Sequence, residues 1–387
     1  MTPGARVAAA IEVLDDILAG TAPEKALTGW GRSHRFAGSK DRAAIRDHVF
    51  DALRCQMSYA WRGGAQTGRG IMIGAMRAAN QLDELFSGIG HAPAPVAADE
   101  SGAPIETARR DVRLDMPDWL LKHFDRALGD QADGVLTQLQ SRAGVFLRVN
   151  TARVDRTGAV AILAEDGIEA VPMDDIDTAL QVTANERKVS RSKAYLEGLV
   201  ELQDPSSQKA ILSLGVTPGL RVLDYCAGGG GKSLALAALG AQVTAHDIDP
   251  QRMVDIAPRA ARAGVVIQTA TKTELQSMAP FDLVLCDAPC SGSGTWRRAP
   301  MAKWDLTPDR LDELISIQAE VLEEGAALVR AGGTLAYATC SVFEEENSVA
   351  IQEFMERNSS FELRHTNLTV THVSGDGFFL ANLVSKG

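Results

Sequence analysis

Hydrophobic and polar positions follow two different patterns along the 387 residues. Up to residue 87, apolar residues recur at helical spacing, as in RVAAAIEVLDDIL and DRAAIRDHVFDALRCQM, and predict a helical domain. Residues 88–108 are rich in Ala, Pro and Gly without apolar periodicity, which predicts a linker. Residues 109–200 combine a helix in MPDWLLKHFDRALG, a strand in GVFLRVN and shorter signals of both kinds, as expected of a small α+β region.

Residues 201–387 show regular alternation of strands and helices. The predicted strands are LRVLDY, AQVTAHDI, VVIQTA, FDLVLCD and TLAYATC, with FELR and GFFLANLV as a closing hairpin. Among the helices, one is expected to bend at Pro258 and another to begin after Thr307 and end at Gly332. A further helix is expected in VFEEENSVAIQEFMERN. The pattern predicts an α/β fold with a Rossmann-like, doubly wound sheet, whose ligands bind beyond the carboxyl ends of the strands.

Composition places the chain among ordinary globular proteins, with 45% hydrophobic and 23% charged residues. No apolar run is long enough for a membrane helix, so no membrane partner is expected. The N-terminal stretch carries Asp15 and Asp16 inside its apolar pattern and is typical of an amphipathic helix, not of a signal peptide. Five cysteines without a C-x-x-C pair indicate a reducing cytoplasm and no structural metal. Composition does not indicate an oligomeric state.

The formal net charge is -11, which argues against nucleic-acid binding. Basic residues nevertheless concentrate in residues 32–54, 142–156 and 187–193, and at Arg297, Arg298 and Lys303. Each patch alone is consistent with a solvated face, and together they are consistent with a basic track for RNA. Arg297 and Lys303 are equally consistent with a solvated loop and with RNA contact.

The glycine-rich stretch VLDYCAGGGGKS follows the first predicted strand of the sheet. It fails as a P-loop because Cys226 occupies the place of the first glycine, and as a dinucleotide fingerprint because Ser233 occupies the place of the third. The remaining pattern, Asp224-x-x-x-Gly228-x-Gly230, is typical of the first turn of an S-adenosylmethionine (SAM) methyltransferase.

Asp247 ends the next strand, 23 residues after Asp224, which is near the usual separation for a carboxylate that binds a ribose diol. The alternative is that Asp247 or Asp249 caps a helix.

Two further strands end in chemically reactive residues. FDLVLCD is followed by Ala288-Pro289-Cys290, and TLAYATC ends at Cys340. In the usual methyltransferase order these strands are neighbours, so both thiols and the carboxylate of Asp287 are expected to converge on one cleft. The other cysteines, Cys55, Cys226 and Cys286, are expected to pack in the interior.

Several segments together resemble the RsmB/Nop2/Sun family of RNA cytosine-C5 methyltransferases. They are LDYCAGGGGK, DAPCSGSGTWRRAPMAKW, YATCSVFEEEN and GDGFFLANL, preceded by LQDPSSQKAI. DMPDWLLKHF and FLRVNTAR resemble the upstream RNA-binding part of the family, and GSKDRAAIRDHVFDALR resembles the NusB-like domain of its bacterial 16S rRNA members. The resemblance therefore implies a NusB-like domain (1–87), a linker (88–108), an RNA-binding region (109–200) and a SAM-dependent methyltransferase domain (201–387).

The resemblance also implies a mechanism and a set of site residues. Cys340 is the nucleophile that attacks C6 of cytosine, Cys290 assists the later elimination, and Asp287 binds the base. Lys232 and a helix N-terminus at Ser341 are expected to lower the pKa of the Cys340 thiol. The implied cofactor is SAM and the implied partner is RNA, with 16S rRNA favoured. The residues implied to bind the cofactor are Cys226, Ala227, Gly228, Gly229, Gly230, Gly231, Lys232, Asp247 and Asp287.

The chain departs from the family pattern at three places. Gly228 and Gly229 replace Ala and Pro, Ala270 occupies the place of an aspartate at the adenine, and Met301 occupies the place of an aspartate before Lys303. The first two departures favour one alternative, a non-catalytic RNA-binding or assembly factor with a vestigial SAM pocket. The other alternative is an amino-group methyltransferase, which usually carries an aromatic residue where this chain has Cys290.

Overall fold

The computed structural model describes residues 1–386 and divides into two compact units. One consists of Met1–Arg142 with Trp296–Asp305, and the other of Ala143–Thr295 with the chain from Leu306 onward. The domain boundaries proposed from the sequence at residues 87, 108 and 200 stay predictions. Within the described residues, no helix is both long enough and apolar enough to span a membrane.

The first unit is helical. Its helices are α1 (Pro3–Leu18), α2 (Pro23–Ser33), α3 (Ser39–Arg54), α4 (Gln56–Gly63), α5 (Gly68–Ala78), α6 (Leu82–Leu85), α7 (Arg110–Arg113), α8 (Asp118–Leu128), α9 (Ala132–Leu139) and α16 (Met301–Asp305). Apolar side chains on the inner faces, such as Val13, Leu14 and Ile71, form its core. Helices α4 and α5 approach closely, because a Cβ atom on Gly74 would lie 1.8 Å from the Tyr59 carbonyl oxygen.

The second unit begins with a four-stranded antiparallel sheet in the order β2-β3-β1-β4. Its strands are β1 (Val145–Val149), β2 (Glu169–Pro172), β3 (Ala179–Ala184) and β4 (Val200–Leu202), with helices α10 (Arg156–Glu165) and α11 (Lys193–Leu196). Leu147, Leu163 and Leu180 share one buried cluster between the sheet and its helices.

The larger sheet has seven strands in the order β10-β11-β9-β8-β5-β6-β7. They are β5 (Arg221–Asp224), β6 (Gln242–Ala245), β7 (Ile267–Thr269), β8 (Phe281–Asp287), β9 (Val329–Thr339), β10 (Phe361–Thr369) and β11 (Phe378–Ser385). The five strands β9, β8, β5, β6 and β7 are parallel to one another. The β10–β11 hairpin pairs with β9 through β11, which is antiparallel to it. The predicted doubly wound sheet and its closing hairpin are confirmed.

Helices cover both faces of this sheet. They are α12 (Pro205–Ser213), α13 (Gly231–Ala238), α14 (Ile256–Ala263), α15 (Lys272–Met278), α17 (Pro308–Ala326) and α18 (Ser348–Arg357). Successive side chains of a strand point to opposite faces. Accordingly, Val222 packs in one buried cluster with Leu236 of α13, and Leu223 packs in the other with Leu322 of α17.

Three predicted helix boundaries were wrong. α17 ends at Ala326, so Gly332 lies inside β9, next to an irregularity in the β8–β9 register. The helix expected to bend at Pro258 is a 3-10 turn, Pro250–Met253, followed by the separate α14. The helix after Cys340 begins only at Ser348, so no helix N-terminus lies at Ser341.

Candidate active site

A cavity of about 500 Å³ lies at the carboxyl ends of the parallel strands, within the second unit. Residues that follow β5, β6, β8 and β9 line it, including Gly228, Asp247, Asp287 and both Cys290 and Cys340. The volume falls within the usual range for small-molecule sites. The strand order therefore brings together the main residues that the sequence singled out.

The glycine loop between β5 and α13 forms one wall of this cavity. Gly228 and Gly230 have φ angles of 49° and 79°, which favour glycine. A Cβ atom on Gly230 would lie 2.8 Å from the Ile256 side chain. Of the predicted cofactor residues in this loop, Cys226, Ala227, Gly228 and Gly229 line the cavity, whereas Gly230, Gly231 and Lys232 are not part of its wall. Because these glycines carry no side chain, a nucleoside cofactor can approach the backbone of the loop closely.

Asp247 and Asp249 have different environments. The buried carboxylate of Asp247 lines the cavity and accepts hydrogen bonds from the backbone N–H of Gly228 (2.9 Å) and of Asp249 (3.0 Å). Arg252 forms an ion pair with it at 3.1 Å. The exposed Asp249 instead caps the following 3-10 turn, where its side chain accepts the Gln251 N–H at 3.0 Å. Asp247 is thus the acid that faces the cavity, and the capping role belongs to Asp249.

The two thiols Cys290 and Cys340 are in contact, with their Sγ atoms 3.4 Å apart. They meet because β8 and β9 are parallel neighbours and the Ala288 N–H extends the pairing to the Ala338 carbonyl at 2.9 Å. The hydrogen bond with Cys290 lowers the pKa of the Cys340 thiol, with a smaller contribution from Lys232, against the opposing effects of burial and of Asp287. The same hydrogen bond and burial raise the pKa of Cys290. Cys340 is therefore the thiol that ionises first.

Lys232 and Asp287 form an ion pair beside the thiols, with 2.6 Å between Nζ and Oδ2. Lys232 also lies over the Phe378 ring, 5.1 Å from its centroid. Burial alone would lower the pKa of Lys232, but the Asp287 carboxylate outweighs it and raises that pKa. A fixed positive charge, paired with the cavity-lining Asp287, therefore lies near Cys340.

A buried carboxylate, Glu346, joins the two cysteine loops from behind. Its oxygens accept hydrogen bonds from the Ser291 N–H (2.7 Å), the Ser291 hydroxyl (2.5 Å), the Ser341 hydroxyl and the Gln318 amide (2.9 Å). Ser291 follows Cys290 and Ser341 follows Cys340, so one side chain positions both thiols. The sequence analysis missed Glu346, since nothing in the run Glu344, Glu345, Glu346 marks the third acid as the buried one.

A second interaction that the sequence analysis missed supports the glycine loop. Arg148 of β1 is buried and donates hydrogen bonds to the Gly231 carbonyl (2.9 Å) and to the Gln203 side chain (2.8 Å). Burial lowers its pKa to about 10. Arg148 is therefore not available to the proposed basic track.

Three further basic residues of the proposed track, in the helical unit, are buried. Arg297 and Lys303 are each 1% exposed, and Arg54 is 7% exposed. Lys303 donates to the carbonyl oxygens of Arg54 (2.8 Å) and Asp115 (2.6 Å), and Arg54 donates to that of Arg297 (2.7 Å). Both alternatives for Arg297 and Lys303, a solvated loop and an RNA contact, were wrong because both side chains are buried, and backbone carbonyls bind the Lys303 ammonium.

The remaining cysteines differ in position. Cys55 and Cys286 are buried, as predicted for interior packing, whereas Cys226 is only partly buried and lines the cavity. Burial raises the pKa of all three thiols. Ala270, directly after β7, is 4% exposed. Its side chain is a methyl group, so this position provides no carboxylate, as the departure from the family pattern implied.

Comparison with known proteins covers most of the chain. The family model described as 16S rRNA methyltransferase RsmB/F matches residues 211–384, and a model for the ferredoxin-like domain of RsmF/B-like methyltransferases matches residues 116–199. The ribosomal RNA small subunit methyltransferase B of Escherichia coli O6:K15:H31 is 36% identical over 296 residues, which are 71% of this chain and 68% of that protein.

Solved structures share the fold. The crystal structure of PH0851 matches 99% of each chain with a TM-score of 0.76 and 24% identity. A methyltransferase homolog protein from Pyrococcus horikoshii has a TM-score of 0.62 and 24% identity over 71% of this chain and 97% of that one. The fold and cavity define a SAM-dependent methyltransferase. With both family models and the relative in agreement, the chain belongs to the RsmB/F family of rRNA methyltransferases.

Proposed function

We propose that this protein methylates C5 of a cytosine in 16S rRNA through a covalent bond between Cys340 and C6 of the base. The observation that carries the proposal is the contact between two thiols, 3.4 Å apart, in a cavity that Asp287 also lines, with Lys232 as the ion-pair partner of Asp287. An amino-group methyltransferase needs no thiol, and an assembly factor with a vestigial pocket needs neither thiols nor a fixed lysine.

The chemistry explains why the site contains a thiolate. C5 of cytosine is a poor nucleophile, and addition of a thiolate to C6 makes it enamine-like, which divides one difficult step into easier ones. Cys340 is suited to this addition because its pKa is lowered in the pair. As the sulfur–C6 bond forms, N3 takes up a proton from water, and Asp287 accepts hydrogen bonds from the N3–H and the exocyclic amine.

SAM, when bound, supplies a methyl group on a sulfonium, and C5 takes that methyl while S-adenosylhomocysteine leaves. Asp247 would bind the ribose of this cofactor, and the backbone of the glycine loop would pack against it.

Cys290 acts after the methyl transfer. The hydrogen bond to Cys340 is the main reason that the pKa of Cys290 is raised. Once the Cys340 sulfur is bonded to carbon, that anion is gone, so Cys290 can release its own proton to water and then take the C5 proton. Loss of this proton restores the ring double bond and expels Cys340 as a thiolate, while N3 returns its proton to water, which completes the cycle.

The RNA assignment rests on the family and on the relative. The family model names 16S rRNA methyltransferases, and the Escherichia coli relative is named for the small-subunit RNA. Bisulfite mapping of rRNA and tRNA from cells with and without the gene tests this part, and a cytosine mark lost from tRNA alone would refute the 16S assignment.

Three variants test the thiol chemistry on denaturing gels with substrate RNA and SAM. Cys340→Ala is expected to abolish both methylation and any covalent RNA complex. Cys290→Ala is expected to form the bond and then fail to release it, which leaves an RNA–protein species stable to denaturation. The double variant is expected to behave like Cys340→Ala, because no bond forms to be trapped.

The matched control is Cys55→Ala, which removes a buried thiol remote in sequence from the cavity residues. It is expected to methylate without trapping RNA. Absence of trapped RNA in every variant, or methylation that survives the loss of both thiols, would refute the two-thiol mechanism and favour one of the alternatives.

A further inference from the structure

One part of the cavity wall, formed by Tyr225, Lys272 and Glu324, has no role in the chemistry proposed above. The Tyr225 hydroxyl donates to one carboxylate oxygen of Glu324, and the Lys272 ammonium donates to the other. Glu324 is on α17, Tyr225 follows β5 and Lys272 begins α15 after β7. Three separate elements therefore fix one carboxylate at the edge of the cavity.

This carboxylate keeps free acceptor capacity. An ionised carboxylate has about four lone-pair positions, and the two partners use two of them. Burial alone would raise the pKa of Glu324, but the hydrogen bonds from Lys272 and Tyr225 outweigh it and lower that pKa. Glu324 therefore stays ionised and can accept a further hydrogen bond from a ligand.

The position of Glu324 follows from the order of groups along the cavity. If the cavity binds the cofactor as proposed, the methyl donor would lie at the thiols that follow β8 and β9, and the ribose would lie at Asp247, which follows β6. The base would then lie on the far side of the ribose, toward the end of β7, where Lys272 lines the wall. At that strand end Ala270 offers no side-chain acceptor, and its carbonyl oxygen is bonded to His246 Nδ1 at 2.9 Å.

We infer that Glu324, held by Tyr225 and Lys272, recognises the exocyclic amino group of the adenine of SAM. The inference rests on the proposed use of this cavity for the cofactor. Among the cavity acids near this end, Glu324 has both oxygens fixed by partners, whereas Glu320, one turn earlier on the same helix, is exposed. An acceptor fixed in place binds a donor at lower entropic cost than a free side chain.

Binding of two ligands to the full-length protein tests the inference by calorimetry. One ligand is S-adenosylhomocysteine, and the other is S-inosylhomocysteine, in which a carbonyl oxygen replaces the amino group. A hydrogen bond to a charged acceptor corresponds to about ten- to a hundredfold in affinity, so the wild-type protein is expected to prefer the adenosyl ligand by this factor. Glu324→Ala is expected to bring the ratio of the two affinities close to one.

Two further variants separate recognition from general damage to the pocket. Glu320→Ala removes an acid from the same wall and helix and is expected to keep the wild-type ratio. Tyr225→Phe removes one of the two groups that hold Glu324 and is expected to lower the ratio without abolishing it. The inference would be overturned if Glu324→Ala kept the wild-type preference for S-adenosylhomocysteine over S-inosylhomocysteine, or if Glu320→Ala lost this preference.

The outcomes also distinguish this inference from the proposed function. Equal affinity of the wild-type protein for the two ligands would overturn the role of Glu324 alone, because the cavity would still bind the cofactor. Absence of binding of either ligand would overturn the cofactor site together with the inference.

Discussion

Removal of the Glu346 carboxylate is expected to destabilise the second unit strongly. Glu346→Ala removes an acceptor from four donors: the N–H and hydroxyl of Ser291, the Ser341 hydroxyl and the Gln318 amide. The two hydroxyls and the amide keep a second partner, in Ser341, Ser293 and the Pro289 carbonyl respectively. A hydrogen bond to a charged group contributes about 1.5–3 kcal/mol, and since three of the four donors keep a second partner, we expect a total loss of about 3–5 kcal/mol. Glu346→Gln keeps one acceptor oxygen, and its amide can donate to the two hydroxyls, so we expect a loss of about 1–2 kcal/mol.

The assay must report on the second unit, and the five tryptophans do not. Trp30, Trp61, Trp119, Trp296 and Trp304 all belong to the helical unit, so their fluorescence follows the unfolding of that unit. Cys286 of β8 is fully buried, and its alkylation in increasing urea, measured by mass spectrometry, follows the sheet. The free energy of unfolding then comes from linear extrapolation.

The control is Glu344→Ala, two positions earlier in the same acidic run, where the side chain is only partly buried. It is expected to change the free energy of unfolding by no more than about 0.5 kcal/mol. Equal costs for Glu346→Ala and Glu344→Ala, or a Glu346→Ala effect seen only in tryptophan fluorescence, would refute the reasoning. Glu346→Ala should also raise the pKa of Cys340 in alkylation–pH profiles, because the Cys290 loop loses its anchor.

Three other predictions concern cofactor binding, the stability of the glycine loop and RNA binding. Asp247→Ala should weaken SAM binding by about ten- to a hundredfold in calorimetry. Asp249→Ala should leave it unchanged, and the opposite result would move the ribose contact to Asp249. Gly230→Ala should lower the free energy of unfolding by about 1–2 kcal/mol, measured by Cys286 alkylation, because its φ of 79° disfavours a side chain and the new Cβ would press on Ile256. RNA affinity should fall with salt by about 0.7–0.9 log units per log unit of salt for each phosphate contact, and a slope near zero in filter binding would eliminate the basic track.

The larger sheet could be predicted from the sequence because its strands are short apolar runs separated by helices of clear periodicity. Parallel strands present their carboxyl ends at one edge, so Asp247, Asp287, Cys290 and Cys340 could be assigned to one cavity from their place after each strand. This part of the site depends on topology, which the hydrophobic pattern determines.

The rest of the site depends on burial of individual polar side chains, which a pattern of residue types does not reveal. Arg148, Arg297 and Lys303 belonged to basic patches and suggested a surface, yet all three are buried, and backbone carbonyls bind Arg148 and Lys303. The acidic run after Cys340 has good helix-forming residues, and a helix was expected there. The chain instead forms a loop to Ser348, because Glu346 and Asn347 hold Ser341 through their side chains.

The hydrogen bond from Arg148 to the Gly231 carbonyl bears on which part of the chain can fold on its own. It ties the first strand of the small antiparallel sheet to the start of the helix that follows the glycine loop. Gln208 of α12 adds a second tie, through Thr178 (2.7 Å) and the Leu147 carbonyl (3.2 Å). A piece of the chain that began at residue 201 would lack all three partners. We therefore expect the smallest autonomous catalytic module to begin near Ala143, and we expect a small sheet exchanged from a relative to need an arginine at the position of Arg148.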